Sequence, residues 1–229
     1  TRENIGGMLA VIGCPIEELK RVCAKHDQPE KNDFVAEIVN YNAPNQFVVS
    51  GTLPELDLVK DEVKLLGGKA IDLNVAGAFH SRLMKDAENN FSSYLVKVDF
   101  KDLKISLVSN VDAKVVKLAQ DIKNALVNQI SKPVLWWQSM QYFKEMDIIL
   151  EIGPGGKLAK ILKREWPEKE IYSIAEIEDL DKLLFRLDIS IKEDEVELEP
   201  DLEDNEEVDK DKKLKIGRAS CRERVCHRV

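Results

Sequence analysis

The sequence is poor in cysteine and has no cysteine pattern typical of a metal site. Its 229 residues include four cysteines, none of them in a C-x-x-C pair. His26 and His227 have no ligand-like spacing to these cysteines. We therefore expect no metal site, and reduced thiols in a cytoplasmic protein.

Long apolar runs are also missing. No stretch approaches the roughly 18–20 apolar residues of a membrane-spanning helix, so we expect no membrane association. The opening Thr1-Arg2-Glu3-Asn4 is polar and has neither a signal-peptide core nor an initiator methionine. From this opening we expect that the natural protein begins upstream of Thr1.

Positive charge is scarce in the body of the chain. The formal net charge is −8, and residues 193–213, with twelve acidic side chains and three lysines, more than account for it. Residues 1–192 are nearly neutral and lack the basic face typical of nucleic-acid-binding proteins, so we expect no nucleic-acid partner.

The C-terminal region is expected to carry no catalytic function. The acidic composition of residues 188–215 predicts a disordered tail, with a partner-binding segment as the alternative. Residues 216–229 resemble the translation of a common sequencing adapter. We interpret them as an artefact of the gene sequence, with a natural basic tail as the alternative.

The body contains two patterns of secondary structure. Its 44% hydrophobic composition is enough for a packed core. Residues 6–76 follow the order β-α-β-β-α-β, which is that of a ferredoxin-like small subdomain. Residues 77–187 alternate strands and helices, which predicts a mainly parallel sheet with helices on its faces.

Helical spacing of apolar residues sets the expected helices. They cover residues 15–25, 54–66, 81–98, 118–129 and 157–165, and one more opens at Pro133. The helix over 81–98 is expected to bury Leu83, Ala87, Phe91 and Leu95.

The most informative segment is Gly77-Ala78-Phe79-His80-Ser81-Arg82-Leu83-Met84. A single histidine is more often structural than catalytic. Here, however, His80 follows an apolar strand, lies on a loop and precedes a helix. Such loops at sheet ends are where active sites of α/β proteins lie, so His80 is a candidate catalytic base.

Five motifs, in order, resemble those of the malonyl-CoA:acyl-carrier-protein transacylases. They are Asn40–Gly51, which fits N-x-N-x-P-x-Q-x-V-x-S-G, then Gly77–Met84, Ser109–Val111, Asn128–Trp136 and Glu151–Gly155. The resemblance runs from about Gly6 to Ile174. It implies an α/β fold, namely the C-terminal part of an α/β-hydrolase-like acyltransferase domain with a ferredoxin-like (βαββαβ) small subdomain. The small subdomain would be 6–76, and 77–187 would be the C-terminal half of the large one.

The resemblance also implies a reaction. Members of this family move a malonyl group from malonyl-CoA to the phosphopantetheine thiol of acyl carrier protein in fatty acid biosynthesis, by a ping-pong mechanism through a serine ester and without a cofactor. A serine hydroxyl is a poor nucleophile until a base removes its proton, and His80 matches that base. The backbone carbonyl of Gln129 matches the group that orients the imidazole, so the Gln129 side chain is not expected to matter.

Three further positions match residues at the substrate end of the family's site. Phe79 resembles the residue of malonyl-selective acyltransferases, where a bulky ring would crowd an extra methyl group. Asn42 and Asn110 are expected to line the same end. Core packing for Phe79, and loop stabilisation for the two asparagines, are the alternatives.

The nucleophile of the family is missing. No serine has glycines at both −2 and +2, so the G-x-S-x-G elbow is absent. The family's oxyanion hole and its malonyl-binding arginine also precede the matched region, so we expect these 229 residues alone to be inactive. Two alternatives remain: a non-catalytic acyltransferase-like domain that binds carrier protein, and an acyltransferase module of a polyketide synthase.

A glycine-rich turn at Gly153-Pro154-Gly155-Gly156 resembles a nucleotide-binding loop only superficially. The third glycine of G-x-G-x-x-G would fall at Leu158, and no G-K-[ST] follows. We interpret the segment as a tight strand-to-helix turn.

Overall fold

Eight strands and seven α-helices follow one another in residues 6–188, the part of the chain that the computed structural model describes. They form an α/β fold, with one compact unit that ends at Leu183. Apart from Asp188, the expected acidic tail and the adapter-like segment lie outside the described residues. None of the described helices is long and apolar enough to cross a membrane.

The first part of the chain is built on a four-stranded antiparallel sheet in the order β2-β3-β1-β4. Its elements in chain order are β1 (Gly6–Ile12), α1 (Ile16–His26), β2 (Ala36–Ala43), β3 (Gln46–Thr52), α2 (Leu53–Leu65) and β4 (Lys69–Asp72). The predicted β-α-β-β-α-β order of elements is therefore confirmed.

Side-chain alternation along these strands gives the sheet two apolar faces. Leu9 and Val11 of β1 pack with Leu19 of α1 and Val59 of α2, and all four are fully buried. Met8 points to the opposite face, where it packs with Val39 and Val48. Because both faces of the sheet are covered, the sequence of β1 is an almost continuous apolar run.

Gly51, which ends the first motif, is a glycine for a steric reason. A Cβ atom on Gly51 would lie 1.9 Å from the carbonyl oxygen of Val35. Thr52 N donates to the same oxygen at 3.0 Å, so this backbone approach joins β3 to the segment that enters β2. Only glycine fits the closest point of the approach.

The second part of the chain contains shorter strands and a second core. Its elements are α3 (Lys85–Leu95), β5 (Leu107–Val108), β6 (Val115–Val116), α4 (Ala119–Asn128), α5 (Trp136–Met140), β7 (Ile148–Ile152), α6 (Lys157–Glu165), β8 (Glu170–Ile174) and α7 (Ile177–Arg186). The core residues are Met140, Ile149, Ala159, Leu162, Trp166 and Ile171, with Trp136, Trp137 and Phe143 packed against them.

The expectation of one mainly parallel sheet in this part is wrong for the described residues. Strands β5 and β6 form a separate antiparallel pair, because the turn between them is too short for a crossover. Strands β7 and β8 are parallel, because helix α6 carries the chain back between them. The alternation of strands and helices predicted the second pair but not the first.

The helix expected over residues 81–98 is also shorter in the structure, and it buries a different set of side chains. Residues Arg82–Met84 form a 3₁₀ turn, and α3 begins at Lys85. Ala87 is exposed, whereas Glu88 is buried in its place, because Lys85 and Ser131 supply hydrogen bonds to its carboxylate.

Pro133 does not open a helix. The next residue, Val134, forms a parallel bridge with Asn40 of β2, with Val134 N to Val39 O at 2.7 Å. Helix α5 therefore begins only at Trp136. Through this bridge the segment after α4 is joined directly to the four-stranded sheet.

Candidate active site

His80 lies on the loop between β4 and α3 in an unusual backbone conformation. Its φ is 64°, in the left-handed region that residues other than glycine rarely adopt. Its neighbours hold it there: Ala78 and Ser81 are buried, and the Ser81 hydroxyl donates to the Ala78 carbonyl at 2.7 Å. The His80 N–H donates to the Ile130 carbonyl at 3.2 Å. Strain of this kind at a loop histidine is typical of a functional site.

The imidazole of His80 has one defined partner. Its Nδ1 lies 2.8 Å from the carbonyl oxygen of Gln129. Because a carbonyl can only accept, the Nδ1 atom carries the proton, and Nε2 is left as the proton acceptor of the neutral ring. This is the arrangement that a general base requires.

Gln129 is placed by the end of helix α4. It is the C-cap residue, and its N–H donates to the Ala125 carbonyl at 3.0 Å. Carbonyl groups in the last turn of a helix lack partners inside the helix and lie at the negative end of its dipole. The Gln129 carbonyl is therefore well suited to hold the Nδ1 proton and to stabilise an imidazolium.

Asn110 reaches the same residue from another segment. Its Nδ2 donates to the Oε1 of Gln129 at 3.2 Å, and its backbone carbonyl accepts from Leu135 N at 2.7 Å. The Gln129 side chain, which we did not expect to matter, is thus one end of a contact. Asn110 is therefore linked to His80 through Gln129, which contacts both residues.

The other two predicted site residues differ in placement. Phe79 precedes His80 and is 38% exposed, so its ring is not a core side chain. Asn42 lies in a β-bulge of β2, between the pairs Tyr41–Phe47 and Ala43–Gln46. The structure brings His80, Gln129 and Asn110 together in one hydrogen-bonded group that does not include Asn42.

Arg82 is a residue of this loop that the sequence analysis missed. Its guanidinium donates to Asp27 Oδ1 at 2.8 Å and to the Glu37 carboxylate, which also accepts from the Arg82 N–H at 3.0 Å. It donates further to three backbone carbonyls at 3.0–3.1 Å, those of Gln28, Lys31 and Phe34. Arg82 thereby fastens the histidine loop to the segment before β2. The one feature of the sequence that could have pointed to Arg82 is its position two residues after His80.

Glu151 explains the motif before the glycine-rich turn. Its carboxylate accepts from Leu158 N at 3.2 Å and from Ala159 N at 2.8 Å, at the start of α6. Gly156, at φ 58°, is the N-cap of that helix. The helix N-terminus that a phosphate would use is occupied by this side chain, in line with the interpretation as a structural turn.

The surface beside the site has a cleft, but His80 does not line it. The cleft has a volume of about 410 Å³ and is lined by Lys20, Cys23, Glu37, Ile38, Tyr41, Arg82, Ser131, Lys132 and Pro133. Within residues 6–188, no group of three or more His, Cys, Asp and Glu side chains could hold a metal ion.

Curated proteins and solved structures resemble this chain, although no protein-family model matches it. The chain is 34% identical over 180 residues to the malonyl CoA-acyl carrier protein transacylase of Staphylococcus aureus strain COL, a match that covers 77% of this chain and 58% of that protein. Its identity to the protein of the same name from Bacillus subtilis strain 168 is 35% over 162 residues, or 69% and 50% of the two chains.

Two solved structures have the same kind of name. The acyl-carrier-protein S-malonyltransferase from Burkholderia pseudomallei 1710b matches with a TM-score of 0.73 and 35% identity, over 80% of this chain and 59% of that one. One chain of a second solved structure, a type II PKS acyl-carrier protein in complex with its malonyl-transacylase, also matches. Its TM-score is 0.75 and its identity 29%, over 81% of this chain and 60% of that one. The chain thus spans about three fifths or less of the length of these relatives.

Proposed function

This chain is homologous to the malonyl CoA-acyl carrier protein transacylases over the span that it matches, and we propose that it supplies the histidine base of such an enzyme. The observation that carries the proposal is the 2.8 Å contact between His80 Nδ1 and the Gln129 carbonyl, which leaves Nε2 as a base. No serine of the 229 residues has the elbow setting, so the proposed nucleophile comes from outside them.

In the first half of the proposed reaction, His80 Nε2 takes the proton of the serine hydroxyl as its oxygen attacks the thioester carbon of malonyl-CoA. The tetrahedral intermediate collapses, the C–S bond breaks, and the leaving thiolate of coenzyme A takes the proton from the imidazolium. The product is a malonyl-serine ester and free coenzyme A. The Gln129 carbonyl stabilises the imidazolium in both steps, in the place that a carboxylate occupies in other triads.

In the second half, the phosphopantetheine thiol of acyl carrier protein gives its proton to His80 and attacks the ester carbon. The C–O bond then breaks, and the serine oxygen recovers its proton from His80. The malonyl group leaves as a thioester of the carrier protein, and the histidine returns to its starting state. The cycle balances without a cofactor.

Other parts of the proposal concern the surroundings of His80. We assign residues 6–76 to a ferredoxin-like subdomain and 77–187 to the C-terminal half of an α/β-hydrolase-like one, an assignment that the strand order β2-β3-β1-β4 supports for the first. The exposed ring of Phe79 would face the malonyl group and disfavour an added methyl, and Asn42 and Asn110 would line the substrate end. A cytoplasmic location belongs to the same proposal.

A transfer assay tests the proposed base. The complete reading frame that encodes these 229 residues is expressed, and malonyl transfer from malonyl-CoA to holo acyl carrier protein is measured. We expect His80→Ala to lower kcat/KM by about a thousandfold or more, because the serine loses its base. The control is His26→Ala, because His26 is a second partly buried histidine and contacts Glu62. Equal activity of the His80→Ala and unchanged enzymes would refute the proposal.

A further inference from the structure

Glu88 is a buried carboxylate for which the proposed reaction has no use. Only 4% of it is exposed, although glutamates are rarely buried without partners. It lies in the first turn of α3, on the helix that follows the histidine loop. Glu55, which is 6% exposed and bonded to the Thr52 hydroxyl, is the one other buried glutamate among the described residues.

The partners of Glu88 show why it can stay charged. One carboxylate oxygen accepts from the Ser131 hydroxyl and the other from the Lys85 ammonium group. Burial by itself would raise the pKa of Glu88. The hydrogen bonds from Lys85 and Ser131, and the charges of Lys85 and Lys132, outweigh it and hold the pKa below its usual value.

The two ends of this contact belong to the two elements that form the candidate base. Helix α3, which carries Glu88, follows directly on the loop of His80. Ser131 follows Gln129 and Ile130, whose carbonyls accept from His80 Nδ1 at 2.8 Å and from His80 N at 3.2 Å. The contact therefore closes a ring that runs through His80, the Gln129–Ser131 segment, Glu88 and α3.

We propose that Glu88 is a positioning residue, which through Ser131 holds the Gln129 carbonyl against the imidazole of His80. We call this contact the Glu88–Ser131 clamp. Its catalytic consequence rests on the proposed function of His80, whereas the geometry that it maintains can be measured without catalysis.

The clamp has a consequence for the Nδ1 proton of His80. A ring proton that is hydrogen-bonded to a carbonyl exchanges with water more slowly than one that faces solvent. If the Gln129–Ser131 segment shifts away, the contact between Nδ1 and the Gln129 carbonyl lengthens and this protection is lost. Loss of the clamp is therefore expected to speed the exchange of the Nδ1 proton with water.

The experiment measures, by NMR, how fast the Nδ1 proton of His80 exchanges with water in the 229-residue chain. The chain has three histidines, so the signal of His80 can be assigned with a His80→Ala variant. The variants are Glu88→Leu, which removes the acceptor, Ser131→Ala, which removes the donor, and Glu88→Gln, which keeps an acceptor oxygen. Glu55→Leu is the control, because it removes an equally buried carboxylate whose partner is Thr52.

We expect Glu88→Leu and Ser131→Ala each to speed the exchange of the His80 Nδ1 proton by about tenfold. Glu88→Gln should restore most of the protection, and Glu55→Leu should leave the exchange rate unchanged. An unchanged exchange rate in both clamp variants would overturn the proposal, and Ser131→Ala decides alone if Glu88→Leu does not fold. Faster exchange in the clamp variants of a chain whose complete reading frame transfers no malonyl would refute the proposed function and leave the clamp standing.

Discussion

At the scale of single residues, the sequence analysis paired His80 with the Gln129 carbonyl but did not foresee the contacts around these two residues. The pairing of His80 with the Gln129 carbonyl was expected from two motifs that lie 49 residues apart. The contacts made by Arg82, Glu88 and the Gln129 side chain were not, because they depend on how distant segments approach each other. Glu88 in particular replaced Ala87 on the buried side of α3, which an apolar periodicity cannot foresee.

Arg82 should contribute strongly to the stability of the chain. Its side chain is 21% exposed, and Arg82→Ala would leave the carboxylates of Asp27 and Glu37 without their counter-charge. We expect the free energy of unfolding to fall by about 3 kcal/mol, measured by urea denaturation. Arg21→Ala, which removes an exposed ion pair with Glu18, should change it by less than about 0.5 kcal/mol. Similar losses in the two variants would contradict the role given to Arg82.

Cys23 should make the fold sensitive to alkali. Burial, with a smaller effect from the charge of Asp27, raises the pKa of its thiol from 9.0 to about 12. The folded pKa is above the unfolded one, so the contribution of the neutral thiol is complete below pH 9 and is lost as the pH rises towards 12. Urea denaturation between pH 8 and 10.5 in reducing buffer should show a shallower loss for Cys23→Ala than for the unchanged chain. Parallel curves would contradict this assignment.

At the scale of elements, local sequence patterns predicted the helices better than they predicted which strands pair. The expected helix over 157–165 matches α6, and those over 15–25 and 54–66 match α1 and α2 to within one residue at each end. The expectation at Pro133 was wrong, because Val134 pairs with β2 instead, a tertiary contact that overrides a favourable helix start. The β5–β6 pair was missed for another reason, because its strands have two residues each and no usable periodicity.

The close backbone approach at Gly51 leaves no room for a side chain beside the strand pair β2–β3. A Cβ atom there would lie 1.9 Å from the Val35 carbonyl oxygen, so Gly51→Ala must push the backbone apart. We expect a loss of about 3 kcal/mol in the free energy of unfolding, at the upper end of overpacking effects. Gly77→Ala is the matched control, since no atom lies within 4 Å of its added Cβ. If both variants unfold at the same urea concentration, the close approach at Gly51 is not the reason for the glycine.

At the scale of the whole molecule, the two parts of the chain differ in how well their sheets are covered. The four-stranded sheet has buried apolar residues on both faces. The parallel pair β7–β8 buries Ile149 on one face, but Leu150 and Ile152 on the other are 44% and 82% exposed. Parallel strands are normally covered on both faces, so this surface is unusual within the described residues.

This uncovered face should make the chain associate with itself. Sedimentation velocity at rising concentration should show species larger than the monomer, because apolar sheet surface is buried on association. Ile152→Lys should reduce the association. Leu65→Lys is the control, since Leu65 is 87% exposed but lies on helix α2. A monomer at every concentration, or equal effects of the two lysines, would contradict the prediction.

In the proposed reaction, His80 activates a serine that lies outside these 229 residues. The most direct measurement is to incubate the complete reading frame with malonyl-CoA, stop the reaction within one turnover, and locate the malonyl label by peptide mass spectrometry. We expect a malonyl ester on a serine flanked by glycines outside these residues, and we expect it to form at least about a thousandfold more slowly in His80→Ala. A label on a residue within the 229, or one that forms equally fast without His80, would contradict the proposed role of His80.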